Sequence, residues 1–210
     1  MISPKRLQSA LQQNLPGETA QLEMVPWPVN LPPASIPDAP ENIRKSAVLL
    51  LLSENASTSE LQFTLTLRSR KLPSHSGQLS LPGGRIESGE TIEQAALRET
   101  WEEIGVPENM PQILGNLSAL HVPHSRNLIH PVVAYVQKLP ELLICEDEVE
   151  EVFHRDVASL MDTSILRRET WNLRGTQYDV PYWDMHDVPL WGATAMILSE
   201  FRAVVRSINL

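Results

Sequence analysis

Glu99, Glu102 and Glu103 stand at positions i, i+3 and i+4 of the segment Arg98-Glu99-Thr100-Trp101-Glu102-Glu103-Ile104. On a helix that spacing turns all three carboxylates to one face, within a turn of each other. Like charges so placed repel, and a helix built for stability alone has no use for them. A hard divalent cation that takes oxygen ligands, Mg²⁺ or Mn²⁺, turns the repulsion into binding. The bland alternative is a solvated acidic helix face. The flanking residues argue for a positioned site. Pro82-Gly83-Gly84 is expected to break any regular element and to let backbone approach a ligand, and Ser88-Gly89 continues the loop. A helix then starts at Glu90 or Thr91 and ends at Gly105, with Pro107 beyond it. Its buried face is expected to be Ala95, Ala96, Leu97, Thr100, Trp101 and Ile104. Arg98, beside Glu99 and eight residues after Glu90, can pair with carboxylates and hold them in place.

Gly84, Glu90, Arg98, Glu99, Glu102, Glu103, Gly105 and Val106 fit the spacing of the Nudix box. The chain is therefore identified by resemblance as a member of the Nudix hydrolases. Thr100 departs from the usual bulky aliphatic residue, and its valine-like size predicts only a small packing adjustment. The resemblance implies an α/β fold, an α/β/α sandwich around a mixed sheet, and water-driven cleavage of the diphosphate bond in a nucleoside diphosphate compound. It implies Glu99, Glu102 and Glu103 as metal ligands together with the backbone carbonyl of Gly84. Glu90 and Arg98 are implied to orient those ligands. Nudix families differ in their general base. The acidic run Glu146-Asp147-Glu148-Val149-Glu150-Glu151 is one source for it, and Glu148, at the loop-to-strand junction, is the member selected.

The residues before the box resemble a second motif, carried by Nudix enzymes that act on coenzyme A. Thr66, Arg68, Ser69, Gly77, Pro82, Gly83 and Gly84 match it, while Thr64, Leu81 and Pro73 depart. Pro73 replaces an arginine suited to the 3′-phosphate of coenzyme A. Arg70, Lys71 or His75 is expected to take over from a neighbouring position. Substrate contacts are thus assigned to Arg68, Arg70, Lys71, Gly77, Gly83 and Gly84. Glu148 to Phe153 and Pro189 to Ala195 also resemble the coenzyme A branch, so the likeness spans roughly residues 45 to 205. It implies coenzyme A or a derivative as substrate, with 3′,5′-ADP and 4′-phosphopantetheine as products. The alternatives are ADP-ribose or a dinucleotide as substrate, or a non-catalytic nucleotide-binding Nudix domain.

Charge and composition narrow the partners. A formal net charge of −9 argues against general nucleic-acid binding, so phosphate recognition must rest on metal and a local basic cluster. No apolar run approaches the ~20 residues of a membrane span, and the first residues lack the layout of a secretory signal. Cys145 is the only cysteine, which excludes an intrachain disulfide; a cytoplasmic location and an inert thiol are expected. A homodimer is left open. His121, His124 and His130 lack the spacing and thiolate company of a zinc site. Trp27, Trp171, Trp183 and Trp191 are read first as core or interface residues and second as surfaces for adenine stacking.

The elements that must position this chemistry follow from periodicity. Residues 1–45 are read as an N-terminal helix and proline-rich extension, and residues 46–210 as the Nudix hydrolase domain. Ser3 caps a helix to Gln13, with Pro4 at its first position. The prolines from Pro16 to Pro40, including Pro32 and Pro33, exclude a central strand. Leu22, Val25, Trp27 and Leu31 suggest a segment that wraps the domain. Strands are predicted at Ala47–Leu52, Leu61–Leu67, Leu79–Leu81, Ile113–His121, Ile129–Val136, Val149–His154 and Tyr178–Tyr182. The second of these alternates and is expected to be half-buried. Helices are predicted at Val157–Met161 and Trp191–Ser207.

Overall fold

The computed structural model describes residues 2–31 and 35–208. The chain begins with α1 (Pro4–Leu11), α2 (Glu18–Gln21) and β1 (Trp27–Pro28), then forms β2 (Arg44–Glu54), β3 (Leu61–Arg68), β4 (Leu79–Ser80) and β5 (Gly83–Arg85). After α3 (Ile92–Ile104) come β6 (Gln112–Asn116), β7 (Leu120–Val122), β8 (Asn127–Val136) and β9 (Val149–Asp156). The hairpin β10 (Leu166–Leu173) and β11 (Thr176–Trp183) precedes α4 (Gly192–Ile208).

β2 is the spine of a mixed sheet ordered β4-β3-β2-β8-β6, with β9 added to β3, β7 to β8 and β5 to β2. It runs parallel to β8 from Arg44 opposite Asn127 to Ser53 opposite Val136. Its other edge is divided. β5 pairs with the first half, Ala47 opposite Gly84, and β3 takes the far end, Leu52 opposite Phe63. The two glycines before the box are therefore sheet residues, contrary to the expected break, because without side chains they can lie flat against β2. Gly83 shows why: a Cβ there would fall 2.3 Å from the Ala47 carbonyl oxygen.

Helices cover both faces, giving the α/β/α sandwich. Ala47, Leu49 and Leu51 of β2 join Val132, Ala134 and Val136 of β8 under Ala95, Ala96 and Ile104 of α3. Leu50 and Leu52 point the other way and join Phe63, Leu65 and Val133 under α1 and α4. Because alternate residues face opposite layers, a strand buried on both sides is apolar throughout. β3 is buried on both faces as well, but its second face is made of threonines. Thr64 and Thr66 are fully buried, not solvent-facing as expected. Thr64 Oγ1 lies 3.2 Å from His154 Nδ1, and Thr66 Oγ1 lies 2.9 Å from Ser80 Oγ, so burial leaves neither hydroxyl unpaired.

Other differences have local causes. The predicted strand Ile113–His121 divides into β6 and β7, with an irregular register opposite β8 around Gly115. Val157–Met161 is a 3₁₀ turn. β10 escapes the sequence patterning because its residues are largely exposed, and Arg174-Gly175, both at positive φ, turn it into β11.

The N-terminal residues pack onto the sandwich. Ser3 Oγ accepts the Arg6 N–H at 3.3 Å, and α1 buries Leu7 and Leu11. Met24 is buried; Leu22, Val25 and Trp27 are half-buried, while Leu31 is exposed. Trp27–Pro28 pairs only as an edge, along β11, which suits a residue without an N–H. Pro32 and Pro33 lie outside the described residues. A buried carboxylate fixes this segment: Glu200 of α4, fully enclosed, accepts from the N–H groups of Gly17 and Ser118, each at 3.2 Å, and from Gln21 Nε2 at 3.0 Å. Among the described residues no helix is long and apolar enough to cross a membrane.

Candidate active site

α3 carries the box carboxylates, and both of its ends are fixed. At the start a capping box closes two backbone donors: Gln94 N–H donates to Thr91 Oγ1 at 3.2 Å, and Thr91 N–H to Gln94 Oε1 at 2.9 Å. At the end Gly105 adopts φ 74°, and its N–H returns to the Trp101 carbonyl. A Cβ on Gly105 would also meet Leu143 at 2.7 Å. The loop from β8 to β9 therefore docks on the helix terminus, where the Leu143 and Cys145 N–H groups donate to the Ile104 and Glu103 carbonyls at 3.1 and 3.0 Å. This docking brings Glu148, in the same loop, near enough for its charge to disfavour ionisation of Glu99 and Glu103. Thr100 is buried as an aliphatic residue would be, and its hydroxyl donates to the Ala96 carbonyl at 2.7 Å. Trp101, expected on the buried face, is 52% exposed.

Arg98 organises the acidic face. Its Nε and Nη2 donate to the two Glu90 oxygens at 2.7 and 3.1 Å, and Nη1 reaches Glu99 at 3.0 Å and Glu102 at 2.9 Å. Nη2 also donates to the Arg85 carbonyl at 3.0 Å, tying α3 to the end of β5. Glu90 in turn accepts the Glu87 N–H, and the Arg98 guanidinium holds its carboxyl below the ordinary range. Those carboxylates raise the Arg98 pKa further. One guanidinium thus offsets three like charges, which is why the row is compatible with a folded helix.

Glu103 lies apart from that clamp. It is 2% exposed, accepts the Gly83 N–H at 3.3 Å, and has Arg68 Nη1 at 3.7 Å. Burial pushes its carboxyl up to about 8 despite both partners. Burial also raises Glu99, against the pull of Arg98. Arg68 Nε is buried with no hydrogen-bond partner, so this guanidinium retains an unused donor beside the acidic group. The Gly83 and Arg68 contacts to Glu103 were not legible in the sequence. They depend on β5 and the end of β3 meeting at β2.

The fit of a divalent cation can be judged from the donors. Among the described residues, no three His, Cys, Asp or Glu side chains are placed together to hold one metal ion: Arg98 engages Glu99 and Glu102 while Glu103 turns to Gly83. The donor chemistry nonetheless suits a hard cation: carboxylates throughout, one of them buried and short of positive charge. Gly84 leaves room for this arrangement, since a Cβ there would lie 2.3 Å from Glu99 Oε2. Gly84→Ala is accordingly expected to displace Glu99 and to lower kcat on the order of 100-fold. The fold should persist. Steady-state kinetics beside a circular-dichroism melt checks both parts.

The loop after β3 also departs from expectation. Arg70 Nε lies 3.5 Å from Glu150, and Lys71 Nζ lies 2.8 Å from Asp147, so both cations already have acidic neighbours. The exposed Pro73 sits between them and Gly77, whose N–H closes on the Arg68 carbonyl at 2.9 Å. The other candidates scatter. His121 contacts the Pro37 carbonyl, His124 contacts Arg174, and His130 is half-buried on β8. Trp183 is core, with the Arg202 guanidinium 5.4 Å from its ring, and Trp171 packs edge-on to Trp191.

A mixed sheet between two helical layers, with an arginine-clamped acidic helix beside a glycine strand, defines the class, an α/β/α enzyme built for phosphate chemistry. The NUDIX domain profile matches residues 43–174, and the chain belongs to the Nudix family. Nudix hydrolase 3 of Caenorhabditis elegans is 29% identical over 82% of this chain and 78% of its own length. The peroxisomal coenzyme A diphosphatase ndx-8 of the same organism is 36% identical over 57% of this chain; the match spans about half of that relative, 52%. An uncharacterized Nudix hydrolase, NudL, of Photorhabdus laumondii is 30% identical over 89% of this chain and 94% of its own. Among solved structures, the NUDIX domain of Shewanella oneidensis NrtR complexed with ADP ribose superposes with a TM-score of 0.54 at 16% identity, covering 79% of this chain and 90% of that one. The MutT protein of Methanosarcina mazei gives 0.52 at 18%, covering 80% and 96%. These two establish the fold. The chain is a hydrolase of this family.

Proposed function

We propose that the protein hydrolyses the diphosphate bond of coenzyme A or a derivative, releasing 3′,5′-ADP and 4′-phosphopantetheine or its derivative. The observation that carries the reaction class is the acidic face of α3, clamped by Arg98 and abutting Gly84. In this reading Glu99, Glu102 and Glu103, with the Gly84 carbonyl, hold Mg²⁺ or Mn²⁺. Such an ion, when bound, neutralises the diphosphate oxygens and lowers the pKa of a coordinated water. Glu90 and Arg98 are positioning residues that keep the carboxylates aimed. Glu148 accepts a proton from water as the water oxygen bonds to one phosphorus. The bond from that phosphorus to the bridging oxygen breaks, and the oxygen leaves with the other phosphate. Arg68 and the backbone of Gly77, Gly83 and Gly84 line the approach, and Arg70 and Lys71 take the phosphate remote from the scissile bond. Support for coenzyme A comes from the matching residues Thr66, Arg68, Ser69 and Gly77 and from the likeness to a coenzyme A diphosphatase.

One observation favours a second reading, hydrolysis of ADP-ribose or a dinucleotide. Arg70 and Lys71 are engaged by Glu150 and Asp147, and Pro73 offers no replacement cation. Competing coenzyme A, dephospho-coenzyme A, ADP-ribose and a diadenosine compound in one reaction, with products identified by mass, separates the two. Preferential appearance of 3′,5′-ADP supports the coenzyme A reading. Turnover of ADP-ribose with coenzyme A intact overturns it.

A further inference from the structure

Two loops meet beside the candidate active site with opposite charge. The loop after β3 presents Arg70 and Lys71; the loop before β9 presents Glu146, Asp147 and Glu148, and Glu150 follows at the start of β9. They are joined through backbone, the Ser69 N–H donating to the Glu148 carbonyl at 2.9 Å, and through the Lys71–Asp147 and Arg70–Glu150 pairs at 2.8 and 3.5 Å. Between them lies an open cleft lined by Ser69, Arg70, Lys71, Glu146, Val149 and Glu150. Lys71 and Asp147 each stabilise the charged form of the other. The cleft therefore has the form of an anion site whose cations face the protein's own carboxylates.

We propose that Asp147 and Glu150 act as internal competitors for a phosphomonoester bound by Arg70 and Lys71. The proposal rests on the coenzyme A reading, in which the substrate carries one phosphate outside its diphosphate. The side chains of Arg70, Lys71 and Asp147 are 79%, 66% and 84% exposed and that of Glu150 is 42% exposed, so each pair is weak and screened. A phosphomonoester carries nearly two charges and three acceptor oxygens, so it can displace both carboxylates and engage both cations at once. A ligand with a lone, singly charged group gains less from the exchange. The acidic side chains thereby hold down the affinity for the remote phosphate without closing the site to it. Glu146 adds to that opposition by its charge. The acidic partners lie ~75–80 residues further along the chain, in the loop before β9 and in β9 itself, placed there by antiparallel pairing of β9 with β3.

The test uses the full chain and Asp147→Asn/Glu150→Gln, substitutions at exposed positions that keep shape and remove charge. Binding of adenosine 3′,5′-bisphosphate and of 5′-AMP is measured by calorimetry at fixed ionic strength. In the variant the bisphosphate is expected to tighten by about three- to tenfold, two exposed pairs having been removed; 5′-AMP, whose one phosphate is held at the scissile-bond site and leaves the remote site empty, is expected to change less than twofold. Unchanged bisphosphate affinity, or equal tightening of both ligands, overturns the proposal. Failure of the native chain to bind the bisphosphate more tightly than 5′-AMP also overturns it. A separate assay of coenzyme A turnover by the native chain keeps the underlying reading distinguishable. Hydrolysis of coenzyme A with an unmoved binding ratio rejects the competitor role alone, and absence of that hydrolysis rejects the substrate assignment.

Discussion

Glu103→Gln is expected to lower kcat by about 1,000-fold, or about 4 kcal/mol of barrier, while the protein stays folded and at least as stable. The two halves of this expectation have one cause. Glu103 is a carboxylate with 2% exposure, and its cationic neighbour stands 3.7 Å away, too far for a hydrogen bond. Burying such a charge costs stability, and a neutral amide of the same shape relieves that cost while still accepting the Gly83 N–H. In the proposed reading that charge serves the cation. A cation held by oxygen ligands would lose a full unit of compensating charge when Glu103 becomes Gln, and the diphosphate would then keep its own shielding. Measurement of kcat beside the thermal midpoint reads both halves. Turnover within tenfold of the native value would remove Glu103 from the chemistry, and a collapsed melting transition would mark it as a structural residue.

Glu200→Ala is expected to do the reverse, costing about 3–5 kcal/mol of stability without touching the reacting groups. The substitution orphans the Gly17 and Ser118 N–H groups and takes one of two acceptors from the Gln21 amide, three donors that now converge on one enclosed carboxylate. It also leaves a void beneath α4. For a chain of this size the midpoint should fall by about 10 °C, and kcat at low temperature should stay within a few-fold of native. A shift below about 3 °C would mean that solvent or neighbouring groups satisfy those donors, and that the N-terminal segment is held by Leu7, Leu11 and Met24 alone.

The contrast between these two glutamates shows what a sequence can reveal. Glu103 was legible because its neighbours at fixed spacings, Gly84, Arg98, Glu99 and Glu102, lie on one local stretch. Glu200 carries no such pattern: its partners lie ~80 and ~180 residues away and meet it only through packing of α4 on α2 and on the β6–β7 connection. The same division holds for the fold. β2, β8 and α3 announced themselves through runs and periodicity of apolar residues. β3 misled, because its threonines are buried and find their hydrogen-bond partners in Ser80 and His154, not in water. β10 stayed hidden because an edge strand with an exposed face has no apolar alternation to show. The substrate side of the site was the least legible. Arg70 and Lys71 looked like free cations until the acidic loop, brought alongside by the β3–β9 pairing, supplied their partners.

The central claim is that the acidic face of α3 cuts a diphosphate bond with the help of a divalent cation. Its most direct test is incubation of the purified protein with coenzyme A in ¹⁸O-labelled water, with Mg²⁺ and separately with excess chelator, followed by mass analysis of the products. The account predicts 3′,5′-ADP and 4′-phosphopantetheine in the Mg²⁺ reaction, one of them carrying a single ¹⁸O, and neither product with chelator. Equal turnover in chelator, or cleavage anywhere but the diphosphate, would contradict it.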